Sequence, residues 1–362
     1  MYKKIVLLLL FIILLLSSCN VNMESEDDAT SGAEIAVLID LGTIDDKSFN
    51  QSSWEGVEDY AETRRISYQY YKVPQKDKDL DSFIKTVDMA VDNGAKIVVS
   101  TGFIFQETIY AVQDDYPDVN FILIDGVPQR EGDIKITSNT TSILFAEEEV
   151  GFLAGYSVVK DGYTNLGVIA GLPYPTVKRF GYGFIQGADF AASELELDKH
   201  SIKIKYNYIG NFDDTEENQK QAENWYNEGV QVIFAPAGGT AYSVMSAAEK
   251  TGGLVVGIDV DQSFESPTVI TSAVKMIRES VYNAIDNYYK GRFEGGKTVV
   301  LDAKVNGVGL PMDNSKFRTF SRENYNNIYK MLVDKRIVVL KDTYTETPKG
   351  LPARIVKVDY IE

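Results

Sequence analysis

Ile35-Ala36-Val37-Leu38-Ile39 is followed at once by the polar loop Asp40-Leu41-Gly42-Thr43-Ile44-Asp45-Asp46-Lys47-Ser48-Phe49-Asn50-Gln51 and then by an amphipathic run from Trp54 to Arg64. Five apolar residues without polar alternation form a strand covered on both faces, the pattern of a parallel sheet flanked by helices. The pattern recurs. Strands are predicted at Ser67–Lys72, Ile97–Ser100, Phe121–Ile124 and Ile134–Ser138, with helices at Asp79–Asn93 and Glu107–Asp115 between them. A second series then begins: helix Phe145–Val159, strand Leu166–Ile169, helix Tyr182–Glu194, strand Ile202–Tyr208, helix Thr215–Asn227, strand Val230–Phe234, helix Ala241–Thr251, and strands Leu254–Ile258 and Thr268–Thr271. A helix over Ser280–Tyr289 and short strands near Val299–Leu301 and Ile337–Leu340 complete it. Two successive βα series of similar size imply an α/β protein with two doubly wound, Rossmann-like lobes.

Ahead of that alternation lies a different kind of sequence. Met1-Tyr2-Lys3-Lys4, the apolar run Ile5–Leu16 and Ser17-Ser18-Cys19 read as an export signal, 1–18, with an apolar core too short to span a bilayer. Leu16-Ser17-Ser18-Cys19 resembles the bacterial lipobox, in which the cysteine is lipidated and becomes the new N-terminus. Residues 19–33 are polar, acidic and without period, as expected of a solvated tether.

Composition narrows the functions. The 362 residues are 44% hydrophobic and 25% charged, values of a globular chain with room for two cores. The net charge of −17 repels phosphates, which argues against nucleic acid as a partner. One His (His200) and one Cys leave neither a catalytic triad, a disulfide nor a His/Cys zinc site. The Asp-rich stretch Asp40–Asp46 is only faintly like the calcium-holding opening of nucleoside hydrolases, and it lacks the glycine spacing of dinucleotide sites. The reading is a non-enzymatic protein with no cofactor and no metal.

In doubly wound sheets ligands bind beyond the carboxyl ends of the strands. Those positions hold Asp40, Asp125-Gly126, Gly210-Asn211-Phe212-Asp213, Pro236-Ala237-Gly238-Gly239 and Asp259-Val260-Asp261. Carboxylates, glycines and aromatic rings suit a neutral, polyhydroxylated ligand. Carboxylates accept from vicinal hydroxyls, rings stack on flat groups, and glycines admit a close approach.

Asp40-Leu41-Gly42 with Asp45–Gln51 and Trp54-Glu55-Gly56 resembles the opening of the basic membrane protein family, bacterial lipoproteins that act as nucleoside-binding components of ABC importers. Glu148–Ala154, Arg179–Phe184, Tyr208–Phe212, Gly257–Gln262 and Gly307–Leu310 agree with it in order, so the likeness covers nearly all of Ile35–Pro311. The resemblance implies the type I solute-binding fold, two lobes with three crossovers: 34–143 plus about 276–305, and 144–275 plus about 306–362. It implies a base sandwiched by Phe49 and Phe212, read by Asp40 and Asn50, and ribose held by Asp125, Asp259 and Lys275 with the backbone of Gly238 and Gly257. Asp45 and Phe180 are secondary candidates, Phe180 from a loop at the cleft edge. Asp45 and Asp46 also suit a helix cap. The implied ligand is a nucleoside, with inosine, guanosine or adenosine foremost, and the implied partners are an ABC permease and ATPase and the cell membrane, reached through lipid on Cys19 by an extracytoplasmic, monomeric protein. A sugar or autoinducer ligand, or a lipid-anchored antigen or adhesin, are the alternative functions on the same fold.

Overall fold

The computed structural model describes residues 32–39, 41–74 and 79–361; Asp40, the expected export signal and Cys19 lie outside them. The first sheet is built from β1 (Ile35–Ile39), β2 (Tyr68–Lys72), β3 (Ile97–Thr101), β4 (Asn120–Ile124), β7 (Thr140–Phe145) and β13 (Lys297–Leu301), in the order β13-β7-β4-β3-β1-β2. The small hairpin of β5 (Gln129–Arg130) and β6 (Asp133–Ile134) stands apart from it. The second sheet holds β8 (Asn165–Ala170), β9 (Ile202–Tyr208), β10 (Val232–Phe234), β11 (Leu254–Asp259), β12 (Val269–Lys275), β14 (Val308–Gly309) and β15 (Val356–Ile361), in the order β14-β12-β11-β10-β8-β9-β15. Every pairing in the two sheets is parallel except β12 with β14.

All five residues of β1 are buried, and the pleat sends them to two cores. Ile35, Val37 and Ile39 join one cluster, Ala36 and Leu38 another. The first sheet is covered by α1 (Phe49–Arg64), α2 (Leu80–Asp92), α3 (Gln106–Val112) and α8 (Ile277–Tyr289); the second by α4 (Glu147–Lys160), α5 (Pro175–Glu194), α6 (Glu216–Asn227) and α7 (Thr240–Thr251), with α9 (Arg322–Val333) against α4. This is the doubly wound, two-lobed α/β architecture of type I solute-binding proteins. The chain passes between sheets at Ala146, at Met276 and over 302–307. Ala146 N–H donates to the Leu301 carbonyl (3.2 Å) and Met276 N–H to that of Gly307 (3.0 Å), so the crossovers are bonded to one another.

The helix pair α4 and α5 approaches unusually closely because glycines face each other. A Cβ on Gly155 would lie 2.0 Å from the Phe184 carbonyl oxygen, and one on Gly187 would lie 1.9 Å from that of Phe152. Gly151 and Gly183 repeat the arrangement one turn away, against the carbonyls of Phe180 and Glu148. With no Cβ on these faces the backbones themselves pack.

Three expectations fail for identifiable reasons. Ile134–Ser138 is not a sheet strand: Asp133-Ile134 pairs only within the small hairpin, and Ile134 is exposed. The strand there is β7, whose Thr140, Thr141 and Ser142 are buried although they read as polar. Ile337–Leu340 forms no strand either. The Gln186 side chain takes its place as partner, accepting from the Leu340 N–H (2.8 Å) and donating to the Leu340 carbonyl (2.9 Å). The tail's regular elements are instead α9, started by a Ser321–Asn324 capping box, and β15, which adds to the edge at β9. Finally, α5 begins at Pro175, so Phe180 is helical and buried, not in a loop.

Replacing Gly155 with Ala forces α4 off α5 and lowers unfolding stability by about 1–3 kcal/mol, read as a lower midpoint in thermal or urea melts; an unchanged midpoint would show that the pair can relax.

Candidate functional site

A cleft of about 490 Å³ lies between the carboxyl ends of the two sheets. From the first lobe it is lined by Phe49, Asn50, Thr101, Phe103 and Asp125, and from the second by Tyr174, Phe180, Phe212, Gly238 and Asp259, with Lys275 at the second crossover.

The start of α1 is held by Asp46, which accepts from the N–H groups of Ser48 (2.9 Å), Asn50 (3.0 Å) and Gln51 (3.1 Å), donors that helix geometry leaves free. Burial pushes the Asp46 carboxyl up to about 6, against the pull of those three N–H groups. The capped turn fixes Phe49, whose ring faces the Lys275 ammonium (Nζ 4.8 Å from the ring centroid). Asn50 is largely spoken for within its own lobe. Its Nδ2 donates to the Leu41 carbonyl (2.7 Å) and its Oδ1 accepts from Thr101 Oγ1 (3.1 Å), which leaves one N–H and one lone pair for a ligand.

Asp125, directly after β4, and Asp259, the last residue of β11, lie in the left-handed region, at φ +56° and +62°. Asp adopts this conformation more readily than most residues. Both side chains are buried, and both meet Lys275, the last residue of β12, itself 3% exposed. Lys275 Nζ lies 2.5 Å from Asp125 Oδ2, 3.3 Å from Asp259 Oδ1 and 3.7 Å from Glu147 Oε1. Burial opposes the lysine's charge, but the three carboxylates outweigh it and hold the ammonium protonated above the ordinary lysine range. Burial likewise raises Asp125, with Lys275 opposing and Glu147 and Asp259 adding to the rise. Asp125 Oδ1 is buried and has no hydrogen-bond partner among the described residues. A buried acceptor without a donor costs about 1–3 kcal/mol.

Phe212 sits in the loop after β9, stacked on Tyr174 (6.0 Å between centroids, 29°) and close-packed over Gly171, where a Cβ would come within 2.2 Å of the ring. Tyr174 continues across the cleft to Phe103 of the first lobe (5.4 Å, 31°). Phe180 forms part of the floor, 5.5 Å from Lys275 Nζ and edge-on to Phe234. Gly238, at φ +51°, lies beside Phe212 and lines the cleft, as does the exposed Asp45. Gly257 is not brought there: it sits within β11, where a Cβ would lie 2.5 Å from Gln262 Oε1. Sequence reasoning passed over Phe103, Tyr174 and Glu147. The two aromatics follow β3 and β8 and were open to the same strand-end rule; Glu147, fully buried in the first turn of α4, carried no signal apart from its place in an acidic triplet.

Two lobes closing on a cleft lined by aromatic rings and paired carboxylates define a solute-binding protein. The model of the family "ABC transporter substrate-binding protein PnrA-like" matches residues 33–348, and the chain belongs to that family. Basic membrane protein D of Borreliella burgdorferi is 32% identical over 314 residues, 85% of this chain and 86% of that one. The ABC transporter nucleoside-binding protein BmpA of Lactococcus lactis is 28% identical over 303 residues, 77% and 82% of the two chains. Among solved structures, an ABC transporter solute-binding protein from Aeropyrum pernix superposes with a TM-score of 0.77 at 23% identity, covering 88% of this chain and 96% of that one. ABC substrate-binding proteins work outside the cytoplasm and are not catalysts. No helix among the described residues is long and apolar enough to cross a membrane.

Two expectations follow. Lys275→Met removes the one ammonium that Asp125, Asp259 and Glu147 share and should lower stability by about 3–5 kcal/mol, the cost of stranding buried charge; a loss below 1 kcal/mol in denaturant titration would mean that water or protons replace it freely. Asp46, with its folded-state value raised to about 6 from an ordinary value near 4, stabilises the fold fully only below the ordinary value. The stability of the wild type relative to Asp46→Asn should therefore fall as pH rises from about 4 to 6, and a difference that stays flat over that window would refute the raised value.

Proposed function

We propose that this protein captures a purine nucleoside (inosine, guanosine or adenosine) between its lobes, 34–143 with about 276–305 and 144–275 with about 306–362, and passes it to the permease and ATPase of an ABC importer. The observation that carries the proposal is a single cleft that combines aromatic faces from both lobes with a lysine-bound pair of carboxylates, one oxygen of which has no donor among the described residues. A nucleoside has the matching parts, a flat base to stack and vicinal hydroxyls to donate. Phe49 and Phe212 enclose the base, and Asn50, with Asp40 beyond the described residues, reads its edge. Asp125, Asp259 and Lys275 hold the ribose, with Gly238 allowing the backbone close. Phe180 supports the floor, and Asp45 stands at the rim. The naming of the Lactococcus relative as nucleoside-binding points the same way. Gly257 acts through packing instead. The protein works as a monomer, lipidated at Cys19 and held at the outer face of the cell membrane.

A phosphate on the 5′-hydroxyl would enter a cleft rich in carboxylates and is disfavoured. A pentose alone would satisfy the carboxylates but leave the aromatic faces uncovered.

Calorimetry with inosine, guanosine, adenosine, uridine and ribose tests this. A purine nucleoside should bind most tightly, the 2′-deoxy form and ribose at least tenfold more weakly. Phe212→Ala and Asp259→Ala should each weaken binding at least tenfold, about 1.4 kcal/mol, measured well below each variant's own melting midpoint. Ribose binding as tightly as any nucleoside would instead assign the cleft to sugars.

A further inference from the structure

Two of the hydrogen bonds between the lobes are donated by Ser48 and Gln262, neither of which lines the cleft. Ser48, at the N-cap of α1 in the first lobe and 1% exposed, does not use its hydroxyl to cap its own helix. It donates to Asp259 Oδ2 of the second lobe at 2.6 Å. One residue earlier, the carbonyl of Lys47 accepts from Nε2 of Gln262 in the second lobe at 3.2 Å. Gln262 is fully buried and pre-aimed for this contact: its Oε1 accepts from the Ile258 N–H (3.1 Å) and its own N–H donates to Ser272 Oγ (3.0 Å). Gly257 leaves the space the amide occupies, because a Cβ there would collide with Gln262 Oε1 at 2.5 Å.

The covalent links between the lobes run only through the three crossovers, and these two bonds add non-covalent links between the lobes outside them. The segment they grip is the Asp46-capped turn that carries Phe49. Capping therefore falls to Asp46, and the Ser48 hydroxyl, which an N-cap serine ordinarily turns onto its own helix, is free to reach across.

We propose that Ser48 and Gln262 form a closure latch. They are positioning residues that set how long the ligand stays enclosed, and they hold Phe49 over it without touching it. The proposal deepens the reading of the cleft as a nucleoside site and rests on it. Gly257, expected among the ligand contacts, belongs to the latch by making room for Gln262.

The test is stopped-flow kinetics with the purine nucleoside that the wild-type chain binds best, comparing Ser48→Ala, Gln262→Ala and the double variant. A net hydrogen bond of ordinary strength corresponds to about a fivefold effect. Each single variant should raise the dissociation rate about fivefold, and the double variant about the product of the two. Association rates should stay within twofold, because encounter with the open cleft precedes latching. The preference for ribonucleoside over 2′-deoxynucleoside should be unchanged, which separates a latch from a ligand contact and from general damage to the site. Unchanged dissociation rates in both variants would overturn the latch, as would a shifted ribose preference in both. If the wild type binds no nucleoside, the capture reading fails and small-angle scattering decides the latch alone: the double variant should be more extended than the wild type, and identical profiles would refute it.

Discussion

Lys275 is the charge around which this molecule is organised. It ends β12 at the second crossover, and its ammonium meets a carboxylate from each lobe and a third, Glu147, from the start of the helix that follows the first crossover. A buried ammonium alone would be prohibitive, and so would three buried carboxylates alone. Together they are tolerable, and the arrangement requires that the two strand ends and the crossovers be brought to one point.

The acidic triplet Glu147-Glu148-Glu149 extends the same logic into the hinge. All three are buried in the first turn of α4, where the helix dipole favours negative charge. Each meets a cation from a different part of the chain. Arg179 of α5 donates to Glu147 at 2.7 Å, Lys341 of the tail lies 3.1 Å from Glu148, and Lys335 lies 2.9 Å from both Glu149 and Asp302 of the third crossover. Glu149 also accepts from the Ala303 N–H at 2.8 Å. The tail is thus tied to the hinge by charge, while the glycine faces of α4 and α5 keep the helix that bears the triplet pressed against the second lobe.

Much of the architecture was legible because a strand buried on both faces has a signature that nothing else short shares. Ile35–Ile39 and its counterparts were found nearly to the residue. What misled was polarity: Thr140-Thr141-Ser142 is a buried strand written in hydroxyl residues, and half of α9 is charged or amide residues. The strand-end rule led to Asp125, Phe212, Gly238 and Asp259, and the family likeness added Phe49 and Lys275; all six line one cleft.

By itself the sequence determined the class of fold and the chemistry gathered at the strand ends, because hydrophobic period and residue type are local properties that survive without a structure. It also set the sign of the net charge. Tertiary structure alone decided which carboxylates share Lys275, that Asn50 is mostly engaged within its own lobe, that Gly257 serves Gln262, and that Ser48 reaches across the cleft. Those facts depend on side chains up to 211 positions apart in the chain meeting within hydrogen-bonding distance. No local pattern encodes such a meeting; it is fixed only when two sheets, three crossovers and their packed helices set the lobes against each other.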